Sequence, residues 1–150
     1  MKKIKISALF LFLICVGISS CGKDEADEPT ANSKIAGKWY VKTAVVTTYN
    51  GSTIVGTNTT SAYTAADYME FSVDGKYTYP IEGQTAPQVG SYTINDELTR
   101  LTLNETDDTE YYNIQSLTSS ELVISQEDSY TEAGVTFKII EVITHSKTPS

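Results

Sequence analysis

The chain is poor in cysteine, in basic charge and in helical periodicity. Its two cysteines, Cys15 and Cys21, both precede Gly22, so the long remainder carries no thiol at all. Thiolate nucleophiles, disulfide scaffolds and thiolate metal sites are excluded there together. Histidine occurs once, at His145 in the C-terminal tail, and Ser146 beside it makes no triad by adjacency. Neither a His-based metal spacing nor a glycine-rich phosphate loop is present. Carboxylates are so common that the pair Asp107-Asp108 carries no weight as acid and base. The sequence therefore argues against an enzyme and calls for no cofactor.

Basic residues number 11 against 19 acidic ones, a net charge of −8. An anionic surface repels phosphate backbones, so nucleic acid is not an expected partner. Three of the lysines, Lys2, Lys3 and Lys5, stand before an apolar run from Ile6 to Ile18 that ends in Ser19 and Ser20. That run falls short of the roughly 20 residues that span a bilayer, and the three parts together read as a secretory signal.

Ile18-Ser19-Ser20-Cys21-Gly22 resembles a lipobox, where bacterial lipoproteins are cut and the new N-terminal cysteine is acylated. Residues 1–20 are thus expected to be a lipoprotein signal peptide and Cys21 the lipidated residue. Several acyl chains on one cysteine, at about 0.8 kcal/mol per buried methylene, suffice to hold a protein on a membrane. Gly22 to Ser33 is polar and aperiodic, and residues 21–33 read as the lipidated cysteine and a disordered tether with a reach of about 20 Å. The acidic run after Cys21 resembles the short signals that direct some Gram-negative lipoproteins to the outer face of the outer membrane; a solvated linker explains it as well.

Residues 34–150 form one domain of β character, since Thr, Val, Ile and Tyr abound and no long stretch repeats every 3.6 residues. Eight strands are expected, near Lys38–Tyr49, Tyr68–Val73, Lys76–Ile81, Val89–Ile94, Leu98–Leu103, Glu110–Gln115, Glu121–Gln126 and Val135–Thr144. Without crossover helices they make an antiparallel meander, either a barrel or a sandwich. A three-residue loop with Gly75 left-handed pairs Ser72 with Lys76, and then Phe71 faces Tyr77 and Met69 faces Tyr79. This register gathers large side chains on one face. Tyr92, Ile94, Leu101, Leu103, Tyr112, Ile114, Leu122 and Ile124 are the expected companions. In the last strand Glu141 shares a parity with Val135, Phe137, Ile139 and Ile143. Either a bulge shifts the register near Ile139 and Ile140 or Glu141 points inward, and the bulge is the expectation because a lone buried carboxylate is costly.

Gly37-Lys38-Trp39 resembles the G-x-W of lipocalins. Phe71 to Tyr77, Gly90 to Ile94, Leu101 to Leu103, and Leu117, Glu121 and Leu122 resemble the strand signatures of bacterial lipocalin-like lipoproteins. The resemblance covers roughly Lys34 to Gln126. It implies an eight-stranded up-and-down barrel with Gly37 and Trp39 as structural signature and the tryptophan plugging one end. It also implies a basic residue stacked on that tryptophan from near the C-terminal strand, where Lys138 is available; the one arginine, Arg100, lies in a middle strand.

Connections at the Trp39 end are short. Those at the other end are long, from Asn50 to Asp67, Glu82 to Gln88, Asn104 to Thr109 and Glu127 to Gly134, and long loops in compact domains are usually functional or disordered. A ligand entrance is expected there, with the first loop and its Tyr63 as a lid. That rim is acidic through Glu105, Asp107, Asp108, Glu110, Glu127, Asp128 and Glu132, which favours a cation, an amine or calcium, although the acids lack EF-hand spacing and no metal site is assigned. Met69, Phe71, Tyr77, Tyr79, Tyr92 and Tyr112 are the expected ligand-binding residues for a small apolar or amphipathic molecule. The same tyrosines also read as core filler. The alternative function is a surface module, monomeric, that meets a protein or glycan partner through its long loops.

Overall fold

A computed structural model describes residues 29–149 apart from Glu82. The signal, Cys21 and the tether as far as residue 28 lie outside the described residues. One short helix, α1 (Ala31–Ile35), precedes nine antiparallel strands: β1 (Gly37–Asn50), β2 (Thr53–Thr60), β3 (Tyr68–Phe71), β4 (Lys76–Tyr79), β5 (Gln88–Ile94), β6 (Arg100–Asn104), β7 (Thr109–Leu117), β8 (Glu121–Glu132) and β9 (Val135–Ser146).

Strands β3 to β9 follow one another in sequence order, β1 pairs with both β3 and β9, and the circle of eight closes into a barrel. The pairing of β1 with β9 excludes the sandwich. The hairpin of β3 and β4 has the predicted register, Phe71 opposite Tyr77. Ser72 donates its N–H to the Lys76 carbonyl at 2.8 Å, with Gly75 at φ 82. The inward sets are also as expected: Phe71, Tyr77, Tyr92, Leu101, Leu103, Tyr112, Leu122 and Ile124 are buried, with Ile94 and Ile114 packed against them.

Five expectations are corrected. Ala31 to Ser33, assigned to the tether, form most of α1, because Thr30 caps it by accepting the Ser33 N–H at 3.2 Å and Ile35 anchors it in the core. The segment after Asn50 is not a lid loop but β2, which pairs with the upper half of β1 and is exposed along its whole length. Glu127 to Glu132 continue β8 against β9, closed by a two-residue turn at Ala133-Gly134 whose φ values of 50° and 80° match the type I′ geometry that hairpins prefer. The expected bulge is in another strand: β9 pairs with β8 in unbroken register from Val135 to Ser146, and the irregularity lies between Val41 and Thr43 of β1. Strand β6 begins two residues later than expected, since the Asn95 side chain accepts the N–H groups of both Thr99 and Arg100 and holds Leu98 and Thr99 in the turn.

These extensions make β1, β8 and β9 longer than the barrel is tall, and β2 lies along the outer half of β1. Their outer halves and β2 project as a four-stranded flange, ordered β2, β1, β9, β8, on which Tyr130 stacks with Phe137 at 5.2 Å between ring centroids.

The opposite end is sealed. Trp39 has no exposed surface, and its indole N–H donates to the Ile35 carbonyl at 2.6 Å. The basic partner is neither Lys138, which lies over Tyr49 and near Glu127, nor Arg100, which lies over Tyr111. It is Lys147, just beyond β9, whose Nζ sits 3.8 Å from the Trp39 ring and donates to the Ala36 carbonyl at 2.7 Å.

Candidate functional site

Above the sealed floor the barrel holds a cavity of about 380 Å³, at the end that carries the long connections. Small-molecule sites run from about 300 to 1,000 Å³, so the space suits one modest ligand. Each wall follows from strand parity. The bulge in β1 lets Val41 and Ala44 both face inward, where a regular strand would alternate them outward. From β3 and β4 come Met69, Tyr77 and Tyr79, followed by Pro80; Leu103 and Glu105 come from β6 and its following turn, and Glu110 from β7. Strand β9 supplies Glu141, Ile143 and His145. Tyr63 and Asp67 return from β2 to the mouth, where Asp67 is fixed by accepting the backbone N–H and the hydroxyl of Thr64 at 2.7 and 2.9 Å.

Of the six residues expected to bind a ligand, Met69, Tyr77 and Tyr79 border this space. Phe71, Tyr92 and Tyr112 do not: they pack below it, Phe71 against Tyr92 with ring centroids 5.0 Å apart, and the Tyr92 hydroxyl donates to the Ser72 carbonyl. Of the expected acidic rim, Glu105 and Glu110 reach the cavity, whereas Asp107, Asp108, Glu127, Asp128 and Glu132 are exposed outside it.

The polar groups are ordered by hydrogen bonds. Tyr77 and Tyr79 stack nearly parallel, and both hydroxyls donate to Glu105 Oε1, at 3.1 and 2.6 Å. The Tyr112 hydroxyl donates to Glu110 Oε2 at 2.8 Å. The bond to Glu105 pushes the Tyr79 phenol up to about 12, and burial raises Tyr77 and Tyr112 further. All three phenols keep their protons at physiological pH.

Sequence reasoning did not assign Val41, Ala44, Asp67, Glu141 or His145 to the site. The signal was available in β9, since positions 141, 143 and 145 share one parity. His145 is 1% exposed and lies deepest of the three, opposite Val41 and Leu122. Burial lowers its pKa to about 4, a hydrogen bond to the Leu122 backbone opposes the shift, and Nδ1 has no partner among the described residues.

Gly90 sets the position of the Tyr77 ring. A Cβ there would lie 2.4 Å from Tyr77 Cε1 and 2.8 Å from the Asn104 carbonyl oxygen, so both a ring and a backbone would have to shift. Gly90→Ala is expected to cost about 2 kcal/mol in urea denaturation and to break the Tyr77 contact with Glu105, seen as a change in the tyrosine ring resonances.

A family model described as a lipocalin-like domain matches residues 35–124. No curated protein matches the chain.

Proposed function

Taking as premise that the chain belongs to the lipocalin-like domain family, we propose that it is a membrane-anchored carrier of one small amphipathic molecule. The observation that carries this reading is the cavity: its wall combines Val41, Ala44, Met69, Leu103 and Ile143 with a polar set aimed at the same space. Apolar burial supplies affinity, and the fixed polar groups orient the ligand. The tyrosine pair contributes two aromatic faces whose hydroxyls are already committed to Glu105.

Anchoring rests on the sequence: Lys2, Lys3 and Lys5, the apolar run and the small residues before Cys21 support a lipid on that cysteine. The acidic run that follows supports the outer membrane, with the domain held by its tether as a monomer. The flange, with Ile54, Val55 and Tyr130 exposed, supports contact with a protein or glycan partner as the second reading.

Native mass spectrometry on the chain purified from cells, before and after incubation with envelope and medium extracts, tests the first reading. An adduct of small-molecule mass is expected. It should weaken with Tyr79→Ala in the cavity wall and persist with Tyr111→Ala on the outer surface. A bare chain in every extract would reject the carrier and move the search to partners of the flange.

A further inference from the structure

The cavity is one-sided in its chemistry. Asp67, Glu105, Glu110 and Glu141 all line it, all half-buried, and no lysine or arginine does. The Tyr77 and Tyr79 hydroxyls spend their protons on Glu105, so toward a ligand they present lone pairs. The deepest polar atom, Nδ1 of His145, is buried without a partner among the described residues. An unsatisfied buried polar atom in a native fold calls for a partner from elsewhere. The charged part of the lining is therefore entirely acidic, while much of the rest of the wall is apolar or aromatic.

We infer that the ligand is an organic cation, a molecule with a protonated amine on an apolar body. This deepens the carrier reading and rests on it. An ammonium group has three donors and no acceptor, which complements carboxylates and phenol oxygens. The stacked faces of Tyr77 and Tyr79 favour a cation in the same space. A bare metal ion fits less well, because no group of three or more acidic, histidine or cysteine side chains among the described residues comes together to hold one. The four carboxylates are instead spread around the wall, from the mouth loop through β6 and β7 to β9.

The test uses three probes with one skeleton and three charges: tryptamine, tryptophol and indole-3-acetate. Each is titrated calorimetrically into the full chain in lipid nanodiscs, against empty nanodiscs. Tryptamine is expected to bind at least roughly tenfold more tightly than tryptophol, and indole-3-acetate not at all. Glu141→Gln makes no hydrogen bond in the tyrosine network to lose. It should bring the amine down toward the alcohol while leaving tryptophol unchanged, and Glu105→Gln should repeat the effect. Equal or tighter binding of the alcohol or the acid overturns the amine and leaves the carrier standing. Amine binding indifferent to both substitutions also overturns it. Failure of all three probes at millimolar concentration overturns the inference, while the carrier reading stands or falls on the adduct in native mass spectrometry.

Discussion

Trp39→Ala is expected to destabilise the domain by about 3–5 kcal/mol, the range for truncating a fully buried large aromatic. Domains of this size are stable by about 5–15 kcal/mol, so the loss is a large share of the whole. Three contacts fail together. The indole leaves the core at the sealed end, the Ile35 carbonyl loses its 2.6 Å donor, and Lys147 loses the ring beneath its ammonium. Burial already lowers the Lys147 pKa, so its charge is held by the ring and by the Ala36 carbonyl rather than by water alone. Two milder variants separate these terms. Trp39→Phe keeps an aromatic ring but removes the N–H, at about 1–2 kcal/mol. Lys147→Met keeps the indole and removes the cation, at up to about 2 kcal/mol. Urea denaturation followed by far-ultraviolet circular dichroism measures all three. If the plug acts as one unit, the double variant Trp39→Ala, Lys147→Met loses less than the two single losses combined. Strict additivity would show that Lys147 and Trp39 merely sit near each other.

The contrast between the two ends of the barrel explains what could be read from the chain. Phe71, Tyr77, Tyr92, Leu101, Leu103, Leu122 and Ile124 alternate cleanly because one face of each strand is core and the other is water, and the Asp74-Gly75 turn fixes the phase. Strand β2 has no such signal. All eight of its residues are exposed, it is rich in Thr with a glycine and an asparagine, and only pairing to β1 makes it a strand. The outer part of β8 was hidden likewise by Glu127, Asp128 and Glu132, whose exposure follows from the strand leaving the barrel. The bulge was misplaced for an electrostatic reason. Turning Glu141 outward assumes a dry interior, whereas Glu141 faces a cavity in which it stays half-buried. In β1 the run Val41-Lys42-Thr43-Ala44-Val45-Val46 has no alternation to reveal a slip. Lys147 escaped notice because it follows the strand, where only three-dimensional closure brings it over Trp39. The cavity wall was thus legible where it shares the core's alternation, at Met69, Tyr77 and Tyr79, and illegible where it is polar.

The most polar point of that wall yields the second large effect. Stability is expected to fall by about 2 kcal/mol between pH 7 and pH 5 because of His145 alone. The ordinary histidine value is 6.5 and burial brings the folded one to about 4. Between those values the unfolded chain binds a proton that the native chain refuses, so the unfolded state binds more protons and stability drops as pH falls. The full contribution is present above pH 6.5 and is lost by about pH 4, where it amounts to about 3 kcal/mol. At 1% exposure the imidazolium has almost no water to screen it. Urea midpoints for the wild type and for His145→Gln, measured at both pH values, isolate the effect, since carboxylates elsewhere contribute to both proteins and cancel. His145→Gln is expected to be less stable at pH 7 but to lose about 2 kcal/mol less on acidification. Equal pH dependence in the two proteins would show that water reaches the imidazole, and with it that Nδ1 is already satisfied. A donor bound in the cavity acts in the opposite direction to acid. Where it pairs with Nδ1 it keeps the ring neutral, and so should make the loaded protein resist acid further than the empty one.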